Sequence, residues 1–226
     1  MVRGKVLRVC ELSERQTETM FRIMREYYHN VLWENFIGDL QKKLDVILLC
    51  NESGEVHGFT TLAIFSHDEN TQLLFSGDTV VKKEYWGAHD LSQAWIKNAL
   101  THAEQFSGKT YWLLITKGYK TYKYLHTFFN EFYPRADTQT PPGLQEIMDI
   151  FGVAQFGERY KNGVFAEGRD FLKEEFDDMD GSKLRDKNTA FFLEKNPGYK
   201  KGDELVCLCE LSVDNINKLG RRVLGR

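Results

Sequence analysis

The residues best suited to chemistry lie in one stretch, residues 73–104, LLFSGDTVVKKEYWGAHDLSQAWIKNALTHAE, which reads as a strand, a tight turn on Gly87 and an amphipathic helix. A helix N-terminus fed by a strand carries unpaired backbone N–H groups, and such groups take phosphate or pyrophosphate. The candidate binding residues are Val80, Val81, Lys82, Trp86, Gly87, Ala88, His89 and Asp90. Lys82 and Lys83 bring positive charge to the turn, and His89 brings a hydrogen-bond donor. Side chains at His89 and Leu91 stand where bare backbone would approach a ligand most closely. Asp90, expected as the N-cap with Gln93 at N3, repels an anion. The simpler alternative is that Asp90 caps its helix and the turn is structural.

Asp78 interrupts an otherwise apolar strand, between Gly77 and Thr79. A carboxylate in a central strand costs several kcal/mol unless it is partnered, so Asp78 is either functional or hydrogen-bonded. Tyr119, Tyr122, His126, Phe129 and Tyr133 recur at spacings of three and four along a second expected helix. Such a stripe reads as core, with Tyr122 and Tyr119 as candidate proton donors. Cys207 and Cys209 alternate on one expected strand, and no paired knuckle accompanies them, so reduced buried thiols are expected and no metal site. His29, His57, His67 and His102 are scattered, and no Ser-His-Asp arrangement is visible.

Composition narrows the class. The 226 residues carry a net charge of -3, with 42% hydrophobic and 28% charged residues, as in an ordinary globular protein. That balance argues against a dedicated nucleic-acid binder, leaving only a local basic patch around Lys117 and Lys123 and an Arg-rich tail. No apolar run is long enough for a membrane span, and no apolar segment follows the N-terminal residues, so a cytoplasmic protein is expected.

Ser13 with Gln16 forms a capping-box signal before a helix bearing Met20, Ile23, Met24 and Tyr27. A second helix is expected over residues 33–44. Residues 45–51 and 56–65 read as a hairpin, followed by a strand over 73–81 and the helix after Gly87. A strand over 111–116 and a helix from Tyr119 to Tyr133, stopped by Pro134, come next. Beyond Pro134 we expect a helix over 144–156, a short strand near Val164, paired strands at 190–193 and 204–211, and a last helix capped by Asp214.

The run Val81-Lys82-Lys83-Glu84-Tyr85-Trp86-Gly87-Ala88-His89-Asp90-Leu91 resembles the V-x-P-x-Y-R-G-x-G-x-G type sequence of the GNAT superfamily of N-acetyltransferases. Val81, Tyr85 and Gly87 match. Lys83, Trp86, His89 and Leu91 depart from it, and Phe129 stands where the family's frequent general-acid Tyr would be. The resemblance implies an α+β fold, a mixed and largely antiparallel sheet flanked by helices. It places a GNAT-like core over residues 1–135, and a C-terminal helix and β-hairpin extension over 136–226 that completes it. It also implies acetyl-CoA or another acyl-CoA as cofactor and an amine acceptor, small molecule or protein. Asp78 would act as base, Tyr122 as acid to the leaving thiolate, and the 80–90 turn as pyrophosphate site. The alternative is a non-catalytic protein on the same scaffold, binding another ligand or a protein partner.

Overall fold

The computed structural model describes residues 1–166, 170–177 and 179–225. The chain divides into two compact units, Met1–Thr110 with Arg222–Arg226, and Tyr111–Arg221. Among the described residues no helix is long and apolar enough to cross a membrane.

The first unit comprises β1 (Val2–Arg8), α1 (Glu14–Tyr27), the two-residue β2 (Tyr28–His29), α2 (Trp33–Leu40), β3 (Asp45–Asn51), β4 (Val56–Asp68), β5 (Thr71–Val81) and α3 (Asp90–Glu104). β1, β3, β4 and β5 lie side by side in that order, each antiparallel to its neighbour. The expected capping box opens α1. Ser13 Oγ accepts the Gln16 N–H at 3.3 Å, and Gln16 Oε1 accepts the Ser13 N–H at 2.9 Å. Met20, Ile23, Met24 and Tyr27 then bury the helical stripe that their spacing predicts. β1 is an addition to the expected elements.

Register separates the two faces of this sheet. Asp45 and Leu62 are partners, Leu62 pairs with Ser76, and Thr60 pairs with Thr79, so these residues share one face. α3 covers it. A Cβ on Gly4 would lie 2.4 Å from Ala94 Cβ and 2.8 Å from the Asp90 carbonyl oxygen, so only glycine admits the start of α3 this close to β1. Further along α3, buried Asp45 accepts from Asn98 at 2.8 Å and meets His102 Nε2 at 2.7 Å, with Arg8 at 3.2 Å. This cluster ties β1 and β3 to the C-terminal half of α3.

The opposite face carries Phe59, Thr61, Phe75 and Val80, under α1 and α2. Phe36 of α2 packs edge-on against Phe59 at 6.3 Å. Here Thr61 alone stands between the pairs Thr60–Thr79 and Leu62–Ser76, and both Gly77 and Asp78 oppose it. The result is a β-bulge that turns both residues to the α1 and α2 face. Buried Lys43 lies across Gly77, its Nζ 2.6 Å from Asp39 and 5.0 Å from the centre of the Phe75 ring.

The second unit contains most of β6 (Lys109–Thr116), then α4 (Tyr119–Phe128), α5 (Pro142–Phe156), β7 (Tyr160–Lys161), β8 (Val164–Phe165), β9 (Phe171–Leu172), α6 (Lys187–Lys195) and β10 (Glu204–Glu210). β10 pairs antiparallel with β6 on one side and with β8 on the other, and β7 pairs with β8. Both units thus carry antiparallel sheet flanked by helices, as the sequence leads one to expect. Three elements differ from expectation. Residues 190–193 are helical, because Asp186 caps α6 by accepting the Thr189 N–H at 2.8 Å, so the expected hairpin with 204–211 does not form. α4 ends at Phe128, well before Pro134, and beyond it the Asn130 N–H bonds to the Asn215 carbonyl and the Tyr133 N–H to the Leu208 carbonyl. The last helix, α7 (Lys218–Leu224), is opened by Asn217, whose Oδ1 accepts the Gly220 N–H, and not by Asp214.

A Cβ on Gly77 would lie 2.4 Å from Thr61 Oγ1 and 2.5 Å from Lys43 Cε. Gly77→Ala is therefore expected to lower stability by about 1–3 kcal/mol, measured as a reduced urea midpoint at unchanged slope.

Candidate active site

The end of β5 leads straight into the candidate binding turn. The Lys82 N–H bonds to the His57 carbonyl on β4 at 2.9 Å. Backbone groups alternate along a strand, so those of Val81 point to the other edge. There the Trp86 indole N–H donates to the Val81 carbonyl at 2.8 Å. A short 3-10 turn, Lys83–Tyr85, follows, held by bonds from the Trp86 N–H to Lys83 and from the Ala88 N–H to Tyr85. From α1, the Tyr27 hydroxyl accepts the Lys83 N–H at 2.6 Å. Burial raises the Tyr27 pKa above the ordinary phenol value, so the hydroxyl keeps its proton. Sequence reasoning did not include Tyr27 at the site; its place on the apolar stripe of α1 gave no such signal.

Gly87 sits at φ +94°, a left-handed conformation that glycine adopts without strain, and the space where a Cβ would stand is open. His89, with φ −92° and ψ 0°, is the N-cap of α3; its carbonyl accepts from the Gln93 N–H at 2.8 Å and from Ser92 Oγ at 3.0 Å. Asp90 is therefore the first helical residue and not the cap, and in that place its charge favours the helix dipole. Since Gln93 is the first to bond back into the helix, the N–H groups of Asp90, Leu91 and Ser92 have no acceptor within it. Leu91 is buried, 5% exposed, so its side chain leaves the outer surface of the turn clear. This corrects the expectation that Leu91 obstructs backbone approach. Exposed His89 and Trp86 remain on that surface.

Asp78 occupies the bulge, half-buried, on the face it shares with Val80. Thr61 Oγ1, opposite, is buried without a hydrogen-bond partner among the described residues. Val80 is buried, whereas Val81 and Lys82 are half-exposed. One continuous segment of the first unit thus brings together Asp78, Val80, Val81, Lys82, Trp86, Gly87, Ala88, His89 and Asp90.

Tyr122 belongs to the second unit. It is fully buried, its ring 5.7 Å from Phe192 and 6.0 Å from Phe132, and its hydroxyl donates to the Pro134 carbonyl at 2.8 Å. Burial drives its pKa far above the usual phenol range. A proton held in this way serves packing, and a role as general acid would require breaking the Pro134 bond and uncovering the ring. Tyr119 is buried as well, and the buried stripe of α4 continues through Leu125 and Phe128.

No protein-family model and no curated protein matches the sequence. Solved structures similar to it include a GNAT family N-acetyltransferase from Escherichia coli in complex with CoA. The identity is 13%, over 57% of this chain and 69% of that one, with a TM-score of 0.40. An acetyltransferase from Trypanosoma brucei is 18% identical over 62% of this chain and 97% of that one, with a TM-score of 0.39. A GNAT family acetyltransferase from Elizabethkingia anophelis with acetyl-CoA bound is 12% identical over 58% and 78% of the two chains, with a TM-score of 0.37. These likenesses are partial and carry nothing about cofactor, substrate or activity in this chain.

Replacing Trp86 with Phe keeps a ring beside Tyr27, which lies 6.3 Å away, and removes the bond to Val81. The expected loss is about 1 kcal/mol in urea unfolding, with a larger loss for Trp86→Ala.

Proposed function

We propose that this chain transfers an acetyl or related acyl group from acyl-CoA to an amine of a small molecule or protein. The observation that carries the proposal is the continuity of the 78–90 segment. A bulge presents a carboxylate, and the same strand runs into a left-handed glycine and a helix start with unused N–H groups. The open space at Gly87 and the inward-turned Leu91 suit a pyrophosphate approaching backbone. Lys82 and Lys83 would meet its charge, and His89 would donate a hydrogen bond to it. When bound, acyl-CoA supplies a thioester carbonyl open to attack by a neutral amine.

Asp78 has the part of taking a proton from the incoming amine, directly or through water. Its place at a bulge, where a strand bends and re-aims a side chain, suits that part. Tyr122 is left out of this assignment because its proton is engaged by Pro134. A second reading, a non-catalytic protein on the same scaffold, draws support from the Trp86 indole that closes off the Val81 carbonyl and from the burial of Tyr122.

Release of free thiol from acetyl-CoA in the presence of amine acceptors separates the two. Asp78→Asn is expected to lower kcat by about 10²–10⁴-fold while the Kd for CoA stays the same. Unchanged turnover removes Asp78 from the mechanism. CoA binding without turnover on any acceptor favours the second reading.

A further inference from the structure

His57 is buried on β4, only 5% exposed, and neither ring nitrogen has a hydrogen-bond partner among the described residues. Each faces a carboxylate instead. Nε2 lies 3.8 Å from Glu55 in the β3–β4 turn, and Nδ1 lies 3.8 Å from Glu84 in the 3-10 turn after β5. The Tyr85 ring packs against the imidazole at 4.7 Å, and the His57 carbonyl holds the Lys82 N–H. The same turn that carries the candidate anion site is therefore built around this side chain.

We infer that His57 is a positioning residue whose protonation clamps the 82–85 segment and thereby sets the affinity of the neighbouring turn for an anion. A neutral imidazole has one N–H and one lone pair, so it can donate to only one of the two carboxylates and turns a lone pair toward the other. An imidazolium has two N–H groups, one for each glutamate. Glu84 is well exposed and free to close the remaining distance to a charge-assisted bond, and exposed Glu55, whose Oε2 also accepts from Asn51 Nδ2 at 3.4 Å, has the same distance to close. Closing it anchors Glu84 to β4 and neutralises an acidic charge next to Lys82 and Lys83. Among the described residues, the titratable groups that face the ring are Glu55 of the β3–β4 turn and Glu84 and Tyr85 of the 3-10 turn after β5. The clamp therefore closes as falling pH protonates the ring.

The clamp stands on the surroundings of His57; only its effect on a ligand rests on reading the turn as a pyrophosphate site. Two measurements keep these apart. In the ligand-free protein, the Lys82, Lys83 and Tyr85 amide resonances should follow the titration of the His57 ring between pH 8 and 5.5. That coupling should be lost in His57→Gln and weakened in Glu84→Gln. Turn amides that ignore the His57 titration overturn the clamp, whatever binds.

The second measurement uses dephospho-CoA, whose pyrophosphate diester keeps a constant charge over this range. Its affinity should rise roughly three- to tenfold from pH 8 to 5.5. His57→Gln should abolish most of that rise, whereas His67→Gln, at the far end of β4 and outside the turn, should leave it. A pH dependence retained in His57→Gln overturns the inference. Coupled amides with no dephospho-CoA binding at any pH leave the clamp standing and overturn the pyrophosphate assignment.

Discussion

Gly77 and Asp78 stand together opposite the single residue Thr61, and β5 has to buckle to hold both. The rest of the site follows from that mismatch. Strand residues alternate between faces, so without the extra residue every side chain from Asp78 onward would point to the other face of the sheet. Asp78 and Val80 would then lie under α3, and Thr79 would lose its 2.7 Å bond to Thr60. The bulge also needs room. Thr61 and Lys43 pack so closely on Gly77 that no larger residue fits without displacing them.

Two opposing electrostatic effects meet at the turn that β5 feeds. The α3 N-terminus, Lys82 and Lys83 favour an anion, while Glu84 and Asp90 oppose one. Asp90 lies inside the first helical turn, where its charge stabilises the helix. Glu84 is the less committed of the two, because it projects into solvent beside His57. Besides these charges, hydrogen bonds through Tyr27, Trp86 and the His57 carbonyl hold the backbone of the turn. A ligand would therefore meet a preformed surface.

Much of the first unit is legible in the sequence, since β3, β4 and β5 are long apolar runs and α1 carries a capping box. The Ser13 box, the hairpin of β3 and β4, and the strand–Gly87–helix segment all depend on local chemistry. β1 is less legible because an edge strand with Arg and Lys among its residues lacks clean alternation. Residues 190–193 misled for a related reason, since a run of four apolar residues does not distinguish period 2 from period 3.6. The decisive signal was Asp186, three residues before Thr189. At the site, the sequence marks Asp78 and Gly87 by their types. The inward turn of Leu91, the indole bond of Trp86 and the pinching of His57 between two glutamates come from tertiary packing, which no local pattern encodes.

Whether the Gly87 turn binds the pyrophosphate of CoA is read by calorimetric titration of CoA into the protein. Saturable binding at one site per chain is expected, lost or strongly weakened in Gly87→Val, because a branched side chain neither adopts φ +94° without strain nor leaves the turn open. Absence of binding by the native chain at millimolar CoA, or equal affinity in the Gly87→Val variant, would contradict it.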